Sequence, residues 1–158
     1  MPRETTVIIN GQNIMKRRST AIWQGNGLEG KGKLTTTSGV LKETPYSSAA
    51  RFTDETGTSG TNPEELIAAA HSGCFAMALS FALTGAGFVP AELKVEAAVN
   101  IEKMEDHWEI TGSHLNLTGI VPGISEAKFI ELANGAKAGC PVSRALKAID
   151  ITLTAKLA

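Results

Sequence analysis

Residues 62–87 read NPEELIAAAHSGCFAMALSFALTGAG, and this stretch decides the fold. Asn62 is a good helix N-cap, Pro63 suits the first helical position, and Glu65 completes an Asn-x-x-Glu capping box. Glu64 adds negative charge where the helix dipole favours it. From Leu66 to about Leu83 the chain reads as one long, Ala-rich helix, which Gly85 and Gly87 end. Leu66, Ala70, Cys74, Met77 and Phe81 recur at three- and four-residue steps, while Ile67, Phe75, Ala78 and Ala82 line much of the rest. A helix apolar nearly all round is expected at the centre of the molecule, covered on most sides.

Downstream, Leu93, Val95, Ala97, Val99 and Ile101 alternate with mostly polar residues, the pattern of a strand with one buried face. A turn at Glu105-Asp106-His107 leads to a second strand, Trp108 to about Val121. Its apolar parity slips near Gly112, which predicts a bulge there. A second helix is expected from Ser125 to Ala138, with Phe129, Leu132, Ala133 and Ala136 inward. Gly139-Cys140-Pro141 breaks it. A short helix from Pro141 to Ala148 and a closing strand, Ile149 to Leu157, complete the chain.

Upstream, strand structure is expected from Ala21. Ser38-Gly39 between Thr-rich and Val/Leu-rich segments predicts a two-residue hairpin turn, and residues 54–60 read as a loop. Residues 1–20 are polar and weakly patterned and read as an N-terminal extension, with one domain over 21–158. The order of elements predicts an α+β fold with largely antiparallel sheet.

The chain has 158 residues, 15 Lys+Arg and 16 Asp+Glu, so neither nucleic acid nor an acidic polymer is an expected partner. Lys16-Arg17-Arg18 is too short a basic run to change that. The first residues lack the regions of a signal peptide, and the longest apolar stretch is interrupted by His71, Ser72 and Ser80. A cytoplasmic location with no membrane partner is the expectation. Two cysteines are too few for a disulfide scaffold and leave three readings: inert core residues, metal ligands or redox-active thiols.

Cys140 precedes Pro141, so it sits at or beside a helix N-cap, where unpaired N–H groups stabilise a thiolate; a small residue tolerated at a cap fits the same position. Cys74 lies mid-helix. Read alone it favours an inert core thiol, and reactivity there needs a cation from another segment, for which Arg51 is the natural candidate. His71 and Cys74 are three apart on one helical face, but the paired ligand motif of a zinc site is missing, so no metal and no cofactor are expected. His71 reads as a hydrogen-bonded packing residue.

These segments resemble the osmotically induced protein C (OsmC) family. Asn62 to Ser80 is similar to its first cysteine motif; Val121-Pro122-Gly123-Ile124 and Ala136 to Ser143 are similar to its second. Trp23-Gln24-Gly25, Ser38-Gly39-Val40-Leu41 and Ala50-Arg51-Phe52 match its N-terminal part, and the likeness is closer to the OsmC branch than to the organic hydroperoxide resistance branch. The resemblance implies an intertwined homodimer, with antiparallel sheets from both chains around long central helices. It implies a thiol-dependent peroxidase acting on organic hydroperoxides, and more weakly on hydrogen peroxide. In it Cys74 is the peroxidatic thiol, Cys140 the resolving thiol, and Arg51 and Glu64 the activating polar pair. A dithiol, carried by a lipoylated protein, is the implied reductant. Glu64 and Cys74 are ten residues apart, about 15 Å along a continuous helix, so shared active sites across the dimer are expected. The competing reading is a redox sensor or thiol-dependent binding protein without sustained turnover.

Overall fold

The computed structural model describes residues 7–9 and 12–158, and the chain divides into two compact units, residues 1–62 and 63–158. Met1–Thr6, Asn10 and Gly11 of the expected extension lie outside the described residues.

In the N-terminal unit a short hairpin, β1 (Val7–Ile9) and β2 (Gln12–Ile14), precedes an antiparallel sheet in the order β3 (Ser19–Gln24), β4 (Lys31–Thr36), β5 (Thr44–Ser47). The β3–β4 turn is built by Asn26, whose side-chain oxygen accepts from the N–H groups of Leu28 and Glu29 at 2.9 and 2.8 Å, as Asx turns do. The expected hairpin at Ser38-Gly39 is real but wider than two residues. Gly39 turns the chain at φ 78°, yet β4 ends at Thr36 and Val40-Leu41-Lys42 lie in the loop rather than in a strand. Thr36 causes the widening: its N–H donates to Leu41 O at 3.0 Å, and its hydroxyl accepts from Leu41 N–H at 3.1 Å. Pairing with β4 then resumes only at Thr44.

A short helix not foreseen in the sequence, α1 (Ser48–Phe52), follows β5, with the Ser47 hydroxyl capping Ala50 N–H at 3.0 Å. Trp23 and Tyr46 pack at 5.4 Å between ring centroids. Tyr46 lies so close over Gly32 that any Cβ there would collide with its ring. The loop after α1 is organised by Asp54, which accepts from the hydroxyls and N–H groups of Thr56 and Ser59. Those bonds, the Ser59 hydroxyl foremost, hold its carboxyl well below the usual range.

The C-terminal unit runs α2 (Pro63–Gly85), β6 (Glu92–Lys103), β7 (Trp108–Ile120), α3 (Glu126–Gly139), α4 (Pro141–Ala145), β8 (Asp150–Leu157). The sheet order is β6-β7-β8. β6 and β7 pair antiparallel, with the bulge where the parity slip predicts it: Gly112 faces Asn100 and Ile110 faces Ile101, leaving Thr111 as the extra residue. β8 pairs parallel to β7. Parallel neighbours need a crossover, and α3 with α4 supplies it. Ser125 caps α3 through Lys128 N–H.

The core lies on one face of this sheet. Phe75, Leu79 and Leu83 of α2, Leu115 and Leu117 of β7, and Phe129 and Ala133 of α3 are fully buried. Gly119 is required where it stands, because a Cβ would run into the Phe129 ring. By length and composition α2 is apolar enough to cross a membrane, with a mean hydropathy of 1.8. Its packing on β6, α3 and α4, with a buried, hydrogen-bonded His71, makes it a core helix. The expectation of cover on most sides is not met within one chain. His71, Phe75, Leu79 and Leu83 are buried, at steps of four residues, whereas Met77 and Phe81 on another side are 62% and 74% exposed.

Candidate active site

Cys140 joins two helices: it is the C-cap of α3 and the N-cap of α4. The residue before a proline is pushed out of the helical region, and Cys140 accordingly sits at φ −60°, ψ 124°. Pro141 at the first helical position has no N–H, so the amides that reach back to the sulfur are those of Val142 and Ser143. They approach it short of a full capping hydrogen bond. The side chain is fully buried. Burial is the largest single influence and pushes the thiol pKa up. The Ser143 N–H, the Cys74 thiol, the Ser143 hydroxyl and the Val142 N–H together outweigh it, and the net pKa lies below the ordinary thiol value.

Cys74, in the middle of α2, is half-buried and unoxidised, as is Cys140. The two sulfurs are near neighbours, so ionising one opposes ionising the other. Cys74 is the member pushed up: burial raises it most, the Val142 N–H pulls against that, and the Cys140 sulfur adds smaller upward pushes. The two cysteines meet because α4 packs against α2. A pair 66 positions apart in sequence is thereby brought together.

Behind the pair stands His71, one helical turn before Cys74 and fully buried. Its Nδ1 is 2.7 Å from Ser113 Oγ on β7 and its Nε2 is 2.9 Å from Ser143 Oγ on α4. With both ring nitrogens engaged by hydroxyls, neither is available to a metal. Burial lowers its pKa, which keeps the ring neutral at pH 7. Sequence reading identified His71 as a hydrogen-bonded packing residue but missed both serines. Ser143 carried a signal, three residues past the Cys140 cap; Ser113 had only its place beside the bulge glycine.

Glu64 is buried in the first turn of α2. Since α2 is unbroken, about 15 Å of helix axis separates it from the Cys74 of its own chain. Arg51 lies in α1 of the N-terminal unit, its guanidinium 4.8 Å from the centroid of the Phe52 ring. Among the described residues no three His, Cys, Asp or Glu side chains gather as a metal centre would.

Comparison with known proteins places the chain in a family. Residues 55–154 match the family of OsmC-like proteins. The chain is 45% identical over 141 residues to the peroxiredoxin OsmC of Escherichia coli (strain K12), covering 89% of this chain and 96% of that protein. It is 34% identical over 100 residues to the organic hydroperoxide resistance protein of Xanthomonas axonopodis pv. citri, covering 62% and 68%. The crystal structure of the organic hydroperoxide resistance protein OhrB of Bacillus subtilis superposes with a TM-score of 0.68 at 28% identity, covering 88% of this chain and 98% of that one. Motifs, fold and relatives agree that this chain belongs to the OsmC family.

Proposed function

We propose that the chain is a two-cysteine peroxidase that reduces organic hydroperoxides, and more weakly hydrogen peroxide, to alcohols or water. The observation that carries this reading is the proximity of a half-buried Cys74 and a fully buried Cys140. Only the first sulfur can meet a substrate, and only the second waits beside it. Relatives named for peroxiredoxin activity and organic hydroperoxide resistance support the same reading.

The cycle balances as follows. The Cys74 thiolate attacks the outer peroxide oxygen; an S–O bond forms, the O–O bond breaks, and the leaving alkoxide takes a proton to become the alcohol. The Cys140 thiolate then attacks the Cys74 sulfenic acid, expelling hydroxide, which leaves as water, and forming a disulfide. An external dithiol, borne by a lipoylated protein, reduces it by exchange.

Within one chain Cys74 is the harder thiol to ionise, so a cation must be recruited. Arg51 is our candidate, oriented by a bidentate pair with Glu64. Because Glu64 stands far along α2 from its own Cys74, we assign Arg51 and Glu64 to the site of a partner chain in a homodimer with shared active sites. The exposed Met77 and Phe81 on α2 are the apolar surface such a dimer would cover. Two reduced thiols suit the cytoplasm.

The test is steady-state reduction of an organic hydroperoxide with dihydrolipoamide, in wild type, Cys74→Ser and Cys140→Ser. Turnover should vanish in Cys74→Ser and stall at the oxidised thiol in Cys140→Ser. A wild type with both thiols reduced that consumes one equivalent of peroxide and stops would instead mark a sensor.

A further inference from the structure

His71, Ser113 and Ser143 form a buried hydrogen-bonded chain that reaches α4 three residues past Cys140 and that the peroxidase cycle leaves without a task. We propose that Ser143 and His71 are positioning residues for Cys140, with hydrogen bonds running in one direction: Ser113 O–H to His71 Nδ1, His71 Nε2–H to Ser143 Oγ, and Ser143 O–H to the Cys140 sulfur. The resolving role of Cys140 rests on the two-cysteine reading above; the direction of the bonds does not.

The direction follows from counting protons. A serine hydroxyl has one proton to donate, and a neutral imidazole has one N–H and one acceptor nitrogen. The His71 contacts, 2.7 Å to Ser113 and 2.9 Å to Ser143, therefore admit two arrangements that differ in tautomer. In the first, Ser143 accepts from Nε2–H and its own proton is left for the sulfur. In the second, Ser143 spends its proton on Nε2, and Nδ1–H donates to Ser113. A thiolate selects the first, because a hydrogen bond to an ion is about twice as strong as one between neutral groups. All four residues are buried, and every buried side-chain polar atom among the described residues has a partner. The sulfur is faced by Cys74 from α2 and by the Val142 and Ser143 groups of α4. The charged neighbours on that side are Lys137 of α3, with Arg144 and Lys147, around a cavity of about 260 Å³ that Ser143 also lines.

Oxidation removes the reason for this order. Once Cys140 is in a disulfide its sulfur carries no charge, Ser143 turns its proton to Nε2, and the ring proton moves to Nδ1. No proton is gained or lost. His71 thus changes tautomer with the redox state of Cys140, and the chain resets when the disulfide is reduced.

Nitrogen-15 NMR of histidine-labelled wild type, reduced and then oxidised, reads the tautomer directly. Reduced protein, at a pH above the measured Cys140 titration, should show Nε2 protonated and Nδ1 bare, and oxidised protein the reverse; Nδ1–H in that reduced form, or no change on oxidation, overturns the proposal. A second measurement follows the Cys140 thiolate by ultraviolet absorbance in the Cys74→Ser background. Ser143→Ala should move its titration up by about one pH unit, a roughly tenfold loss of thiolate at a given pH. Ser143→Thr, which keeps the hydroxyl, should restore it. Coincident titrations with Ala and Ser at position 143 would overturn the proposal. Neither readout needs turnover, since the two forms are prepared with a thiol oxidant such as diamide and a phosphine reductant, so an absence of turnover would sink the peroxidase reading and leave this one intact.

Discussion

The N-terminal and C-terminal units each contain a three-stranded sheet, and the sheets differ in what they bury. β6–β7–β8 carries α2 and α3 on one face and closes a continuous apolar core. Every residue of β3 is exposed, and Ala50 carries the one buried apolar side chain between Ile14 and Asn62. Ile22 is 58% exposed and Trp23 37%. Sheets become stable when an apolar face is covered. The C-terminal unit therefore closes its own core within one chain, and the N-terminal sheet would take its cover from the dimer proposed above. Local devices still order that sheet: a tyrosine pressed on Gly32, an Asn26 turn, a serine cap.

The sharpest way to break the comparison is to empty the core of one unit. Phe129→Ala should lower the unfolding free energy by about 3–5 kcal/mol, read by urea denaturation, whereas Ile22→Ala should cost under about 1 kcal/mol at concentrations where the chain is monomeric. Equal losses would mean that the N-terminal sheet has cover of its own. Next in size is the exposed side of α2. Phe81→Asp should weaken self-association about 100-fold, close to 3 kcal/mol, in sedimentation equilibrium. In the same variant, amide exchange should quicken in β3–β5 well before β6–β8.

A smaller effect belongs to the C-terminal unit alone and depends on pH. His71 has a folded pKa below its ordinary 6.5, so the unfolded chain binds the extra proton first. Stability is then fully present above about pH 6.5 and declines as pH falls toward the folded value, with a slope of at most about 1.4 kcal/mol per pH unit for one proton. His71→Gln should flatten that slope in urea titrations taken across pH 4 to 7 (approximate limits set by the unfolded histidine). The smallest test compares two caps of the same chemistry. Ser125→Ala on the long α3 should cost about 1 kcal/mol, and Ser47→Ala on the five-residue α1 about 0.5 kcal/mol; the reverse order would mean that α1 anchors more than its own turn.

What the sequence foretold divides along the same line. In the C-terminal unit the elements are long and periodic: the start of α2 at Pro63, the alternation of β6, the slip at Gly112 and the break at Cys140-Pro141 all lie within a residue or two of their expected places. Both cysteines could be named, because long motifs carry them. In the N-terminal unit the deciding interactions are single side chains. Thr36 gripping Leu41 widens a hairpin that Ser38-Gly39 alone would close tightly, and Ser47 starts a helix too short to show a period. The parallel direction of β8 was hidden for another reason: pairing direction follows from where α3 and α4 deliver the chain. The His71 chain was out of reach because its three residues lie on three elements and meet only in space.

The meeting of Cys74 and Cys140 also has a mechanical consequence. A bond between them would close a loop of about 65 residues, which by the chain-entropy argument penalises the unfolded ensemble by roughly 4 kcal/mol. The peroxide-spent form would then be the sturdier one, with α2 stapled to the start of α4 and nearly half of the chain held inside the ring. A protease that samples transient openings would digest the reduced protein first, so resistance to digestion would rise and fall with each oxidation and reduction.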